Sequence, residues 1–207
     1  MSQFFQIHKK NPQLRLIRQT VEIILSGGVI AYPTDSAYAL GCLIGNNKAV
    51  ERIKRIRNLT DKHNFTLVCR DLSELATYAM VNNSQYRLLN THTPGPFTFI
   101  LKGSREVPRR LMHPKRKTIG IRVPDCAITL ALLTELNAPL MSTTLILPFD
   151  DAPILDAYDI RQALESQLDL VIDGGCCGME ATTVVSLIND QPELLRKGKG
   201  DISAFLA

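Results

Sequence analysis

The strongest constraint on the fold of this chain is an abrupt change of hydrophobic period at Gly27-Gly28. Before the glycines, Leu14, Leu16, Ile17, Val21, Ile24 and Leu25 recur at helical spacing behind Asn11-Pro12, a cap followed by a proline suited to the first helical position. Residues 12–26 therefore predict an amphipathic helix, which the glycines end. After them, residues 29–34 form an apolar run broken at Pro33, which predicts a buried strand. Thr34, Asp35, Ser36 and Tyr38 follow, then a small-residue turn at Gly41. Such a strand end can present hydroxyls in a cleft. The same pattern also fits a core strand closed by a capped turn.

The alternation continues. Helices are expected from the cap Asn46-Asn47 to about residue 58, over 72–80 behind Asp71 with Glu74 as capping-box partner, over 84–90, over 128–136 and over the acidic segment 156–167. Strands are expected over 65–69, 97–101, 118–123, 139–144, 168–172, 182–187 and 194–196. Thr93-Pro94-Gly95-Pro96 is rigid punctuation, and 105–117 reads as a basic connection. Helices interleaved with strands give an α/β class with a twisted, mostly parallel mixed sheet. A length of 207 residues and 45% hydrophobic content suit one domain over 1–207.

No window approaches a membrane span, and the first residues do not read as a signal peptide. Cys42, Cys69, Cys126, Cys176 and Cys177 are odd in number and contain no C-x-x-C, which argues against a disulfide framework and a zinc site. Reduced thiols point to the cytoplasm. No metal site is expected.

Charge is unevenly spread. Between residues 102 and 122 stand eight cations, Lys102, Arg105, Arg109, Arg110, Lys115, Arg116, Lys117 and Arg122, against Glu106 alone. Residues 150–173 reverse the balance, with seven acids against Arg161. The basic stretch is a candidate nucleic-acid surface or a solvated face. Phosphate-loop, dinucleotide, nucleophile-elbow and H-E-x-x-H motifs are absent. What remains is hydroxyls and cations near element ends: Thr34, Ser36, Ser142–Thr144, Thr182, Thr183, Lys54, Arg55, Arg57, Lys62, Arg122 and Arg196. Converging, they would suit a polyanion such as a nucleotide.

Five strings carry a resemblance. Residues 27–42, GGVIAYPTDSAYALGC, resemble the opening motif of the YrdC-like, threonylcarbamoyl-AMP synthase family, with Pro33, Thr34, Tyr38, Leu40 and Gly41 matching. Thr93-Pro94-Gly95-Pro96-Phe97-Thr98, residues 118–124, Asp173-Gly174-Gly175 with 182–185, and Leu195-Arg196-Lys197-Gly198 resemble its later motifs in order. The chain is most similar to the YciO branch, with core motifs over about 14–200, and resembles the short form that lacks a further C-terminal domain.

The resemblance implies one α/β domain with a large, basic, concave cleft. It implies a nucleotidyltransferase that makes threonylcarbamoyl-adenylate from ATP with Mg²⁺, L-threonine and bicarbonate, for modification of adenosine 37 in tRNA. Thr34, Tyr38, Arg122 and Thr182 would contact the threonine. Lys54, Arg55, Arg57, Thr118, Ser142, Thr144 and Arg196 would contact the nucleotide. Arg105, Arg109, Arg110, Lys115, Arg116 and Lys117 would bind double-stranded RNA or tRNA. Two motifs depart from the family. Its K-x-R-P is here Lys54-Arg55-Ile56-Arg57-Asn58, and the asparagine of its S-x-N is replaced by Ile146. These losses predict a weakened synthase. The alternative is a non-catalytic RNA-binding paralogue using the same cleft.

Overall fold

A computed structural model describes residues 1–60, 63, 65–189 and 191–205. Its strands are β1 (Gln3–Gln6), β2 (Ile30–Tyr32), β3 (Ala39–Leu43), β4 (Thr66–Val68), β5 (Ala79–Met80), β6 (Phe97–Gly103), β7 (Thr118–Arg122), β8 (Leu140–Thr144), β9 (Leu170–Asp173), β10 (Thr183–Ser186) and β11 (Glu193–Arg196). The helices are α1 (Leu14–Leu25), α2 (Asn47–Arg57), α3 (Leu72–Tyr78), α4 (Asn83–His92), α5 (Ala127–Leu136) and α6 (Ala157–Leu164). All the strands join one mixed sheet in the order β1-β9-β2-β3-β8-β4-β7-β6-β10-β11, with β5 on the far end of β6. A single mixed α/β domain is thus what the sequence leads one to expect.

The expectation of a mostly parallel sheet is corrected. Only β1–β9, β2–β9, β4–β7 and β6–β10 pair in parallel, and the other ladders are antiparallel. The reason lies in the connections. A parallel neighbour needs a long crossover, usually a helix, and among the described residues no helix separates β2 from β3, β6 from β7 or β10 from β11. The segment read from sequence as a small-residue turn at Gly41 is strand β3. Gly41 is required there because the Tyr32 ring lies over it: a Cβ would sit 2.7 Å from Tyr32 Cε1.

Local signals account for most helix ends. Asn46 accepts the Ala49 amide at 3.1 Å, and the Asn58 cap is left-handed. Asp71 accepts the Glu74 amide at 2.8 Å. The Glu74 carboxylate reaches past the cap to the Arg70 amide at 2.7 Å, so the expected capping box is shifted by one residue. The complete capping box belongs to Asn82 and Gln85, which start α4 one residue before the expected Ser84.

The two faces of the sheet are covered unequally. One carries the larger core, built from Ile53, Leu75, Leu89, Phe99, Ile121 and Ile160 with their neighbours. On the other, α1 and α5 bury Ile17, Ile24, Leu132 and Leu133 against Ile30, Tyr32, Leu140 and Ile172. These two helices extend no further than β8 and the end of β4. Beyond them, every second residue of β7, β6 and β10 faces a surface without helical cover, and that surface is the floor of a cleft.

Candidate functional site: a hydroxyl-lined cleft on the open half of the sheet

The cleft has a volume of about 810 Å³, within the range of small-molecule sites. Strand alternation builds its floor. In β7, Ile119 and Ile121 enter the core while Thr118 and Arg122 line the cleft; in β6, Phe97, Phe99 and Leu101 go inward while Thr98 and Ile100 line it. Thr66, Ser142, Thr144, Thr182 and Ser186 add further hydroxyls. Gly120 lies between Thr66 and Thr98: a Cβ there would stand 3.0 Å from Thr66 Oγ1 and 3.3 Å from Thr98 Cγ2, so the floor is kept shallow.

Arg122 is the organising charge. Its side chain is 8% exposed and forms an ion pair with Asp35, itself 9% exposed. One terminal nitrogen donates to Asp35 Oδ1 and the other to Ser36 Oγ at 3.2 Å. Asp35 Oδ2 also accepts the Asp125 amide at 3.1 Å. The Nε–H of Arg122 is buried and has no partner among the described residues. A buried charged donor left unpaired is costly, and an anion in the cleft would satisfy it.

The turn that carries Asp35 is held by Thr34. Its hydroxyl donates to the Ala37 carbonyl at 2.6 Å and accepts the Ser36 and Ala37 amides, each at 3.2 Å. Thr34 lines the cleft, but this bonding makes it first a builder of the turn. A neighbouring cavity of about 510 Å³ shares the Thr34–Asp35 wall from behind, where Lys199 donates to the Asp35 carbonyl. Tyr38 is fully buried away from the cleft. Its hydroxyl donates to the Gly175 carbonyl at 2.9 Å and accepts the Gly174 amide at 3.3 Å, and burial raises its pKa.

On the opposite wall, Thr182 and Thr98 share a hydrogen bond of 2.8 Å. Arg196 donates from Nε and from a terminal nitrogen to the Thr182 carbonyl at 3.2 and 2.9 Å, which orients its head at the cleft edge. Partial burial lowers its pKa. Ser142 lies deeper, 2.7 Å from the Tyr32 hydroxyl, and donates to the Leu40 carbonyl at 3.1 Å. Burial pushes the Tyr32 pKa up to about 12.

Thr34, Arg122, Thr182, Thr118, Ser142, Thr144 and Arg196 are therefore brought to one cleft, 162 positions apart at the extremes of the sequence. Lys54, Arg55 and Arg57 are not among its lining residues. Lys54 pairs with Glu51 at 2.9 Å, Arg55 Nε donates to the Glu51 carbonyl at 3.4 Å, and Arg57 donates to the Ile146 carbonyl. Lys62 lies outside the described residues. Among the six cations of the β6–β7 connection, Arg116 lines the cleft, while Arg105, Arg109, Arg110, Lys115 and Lys117 are exposed beyond it. Val107 and Leu111 pin this connection to the core.

Several polar lining residues are not site candidates in the sequence reading, among them Thr66, Thr98, Ser186, Glu193, His63 and His113. Thr98 was visible in the T-P-G-P-F-T string but not singled out. His63 and His113 stand apart from every motif and belong to no metal-ligand spacing. His63 Nε2 lies 3.2 Å from Thr143 Oγ1, and its pKa is lowered, first by burial and then by the Arg57 charge. Among the described residues, no group of three or more His, Cys, Asp or Glu is arranged to hold a metal. Nor is any helix there long and apolar enough to cross a membrane.

Known proteins share this architecture. A profile of the Sua5–YciO–YrdC family, described as telomere recombination, matches residues 22–198. The uncharacterised protein YciO of Escherichia coli K12 is 57% identical over 206 residues, with 100% of both chains covered. An uncharacterised protein of Haemophilus influenzae is 56% identical over 207 residues, again with 100% of both covered. The crystal structure of E. coli YciO superposes with a TM-score of 0.96 at 57% identity and covers 100% of both chains. P. abyssi Sua5, in a crystal structure complexed with L-threonine, superposes with a TM-score of 0.85 at 24% identity, over 94% of this chain and 57% of that one.

Proposed function

The chain belongs to the Sua5–YciO–YrdC family, and from that premise we propose that its cleft binds an adenine nucleotide and L-threonine and forms threonylcarbamoyl-adenylate from ATP and bicarbonate, serving tRNA adenosine-37 modification in the cytoplasm. The observation that carries the reading is the buried Arg122, fixed by Asp35 and Ser36 with its Nε–H unpaired at a hydroxyl-lined floor. The L-threonine in the complex of P. abyssi Sua5 on the same fold supports it.

In this reading Arg122 takes the carboxylate of the amino acid, with Thr182 beside it. Thr118, Ser142, Thr144 and Arg196 border the nucleotide. The threonine nitrogen captures carbon dioxide, and the carbamate oxygen attacks the α-phosphorus as pyrophosphate leaves. No group of the protein becomes covalently attached, so these residues act by positioning and by stabilising charge. Mg²⁺ travels with the phosphates, as magnesium commonly does; among the described residues, Glu193 is the carboxylate on the cleft lining. The protein incubated with ATP, threonine, bicarbonate and Mg²⁺ should yield threonylcarbamoyl-adenylate and pyrophosphate. Neither product above a no-enzyme control rejects the reading.

A second reading rests on a different observation. Arg105, Arg109, Arg110, Lys115, Arg116 and Lys117 are all exposed on one pinned connection. That surface suits the phosphates of double-stranded RNA or tRNA, with little dependence on sequence. Titration with duplex RNA at several salt concentrations should show affinity falling as salt rises; binding with no salt slope removes this reading.

A further inference from the structure

Resting on the amino-acid reading above, we infer that Thr98 is a positioning residue of the cleft. It locks the Thr182 hydroxyl beside Arg196, so that the pair presents one O–H donor to an oxygen of the bound amino acid.

The strand places Thr98 for this. β6 runs between β7 and β10. Val184 of β10 pairs with Thr98 itself, and Phe99 pairs with Ile121, so the step from Phe99 to Thr98 runs along the antiparallel register toward Arg122. Phe97 and Phe99 enter the core, which turns Thr98 into the cleft between them. Its methyl lies on the β7 side, where a Cβ on Gly120 would stand 3.3 Å from Thr98 Cγ2. Its hydroxyl lies 2.8 Å from Thr182 Oγ1. A threonine side chain is stiff at its first torsion, and the bare Gly120 leaves the methyl its room in this rotamer. Glycine on β7 thus directs the Thr98 hydroxyl to Thr182.

Counting protons gives the consequence. Arg196 donates a terminal N–H to Thr182 Oγ1 at 3.3 Å and to the Thr182 carbonyl at 2.9 Å. A guanidinium only donates, so it takes one of the two acceptor sites on that hydroxyl. The two threonine hydroxyls carry two protons, and the bond between them uses one. Whichever hydroxyl donates, one proton remains. Both residues line the cleft, with Thr98 6% and Thr182 5% exposed. The remaining O–H needs an acceptor there, and an ionised carboxylate accepts more strongly than a neutral oxygen. Without the Thr98 hydroxyl, Thr182 turns freely about its own C–O bond and meets the ligand without a fixed direction.

The test is calorimetric titration with L-threonine. Thr98→Val keeps the shape without the hydroxyl and should weaken binding about fivefold, the order of one net hydrogen bond. Thr98→Ala, which brings no second methyl, should show the same loss. Thr98→Ser keeps the hydroxyl and should stay within about twofold of the wild type. A double-mutant cycle separates positioning from packing. In Thr182→Val, adding Thr98→Val should weaken binding no further, because the hydroxyl it positions is gone. Wild-type affinity in both Thr98→Val and Thr98→Ala, or losses that multiply in the double variant, overturns the inference. Failure of the wild-type protein to bind L-threonine overturns the amino-acid reading itself and the inference with it, whereas binding indifferent to Thr98 overturns the inference alone.

Discussion

Two walls of the same cleft are built on opposite principles. The Thr34–Asp35–Ser36 turn and Arg122 are buried, cross-bonded and saturated except for one guanidinium N–H. The α2 wall is looser: Arg57, Arg55 and Lys54 sit at the end of a helix, where basic side chains suit the negative end of the dipole, and their contacts include the Ile146 carbonyl and Glu51 of their own helix. The first wall commits buried charge to a fixed geometry and leaves one donor for a ligand. In the second, Arg57 holds the turn after β8, although its own buried Nε–H also lacks a partner among the described residues.

The contrast implies an ordering of mutational costs. Arg122→Ala should cost most, about 3–5 kcal/mol of unfolding free energy, because it strands the Asp35 carboxylate without its partner in a nearly closed site. A loss below about 1 kcal/mol in urea denaturation would mean that the pair is solvated, and the distinction between the walls would collapse. Thr34→Val comes next, at about 2 kcal/mol, since it keeps the shape and leaves two amides of the turn without their acceptor. Arg57→Ala should cost about 1 kcal/mol or less, because the Ile146 carbonyl it abandons is only half-buried and water can replace the guanidinium. Arg57→Ala as costly as Thr34→Val would show that the α2 wall is as tightly built as the other.

The fold was legible wherever burial imposes a period. The helical stripe of α1, the caps Asn46 and Asp71 and the alternation of T-I-G-I-R in β7 all report local physics. Three strands were not legible. β1 is four residues long with a glutamine at each end on a sheet edge, and β5 has two residues. β3 is small and contains a glycine whose reason, the Tyr32 ring, lies on the neighbouring strand. Losing β3 also hid the antiparallel pairings. The site was less legible still. Asp35 and Arg122 are 87 positions apart, and nothing local marks them as partners. Resemblance to the family gives Arg122 a role, while Asp35 stands only among the polar residues after Pro33. That Arg57 serves a backbone carbonyl depends on the turn after β8, which hydrophobic period does not encode.

The smallest effect concerns protons and discriminates between the walls from inside the cleft. The pKa of His63 in the fold lies below its ordinary 6.5, first because burial disfavours the cation and then because of the Arg57 charge. Thr143 faces its Nε2 and Phe65 its ring edge. The unfolded chain therefore takes up this proton first as the solution is acidified. The stability tied to neutral His63 is fully present above about pH 6.5 and is lost as pH falls through that value toward the lower folded pKa. Between pH 7.5 and 5.5, the wild-type urea midpoint should fall further than that of His63→Gln, which keeps a polar group near Thr143 but does not titrate. Carboxylates and the other histidines are common to both proteins and cancel in the difference. Equal slopes would mean that Arg57 and the buried face leave His63 unperturbed, and the α2 wall would then be open enough to admit an anion. The same pair of proteins measured with saturating ATP sharpens the point. A phosphate tail lying against this wall would favour the imidazolium and reverse the sign of the difference, whereas a ligand that stays clear of the wall leaves it as it is.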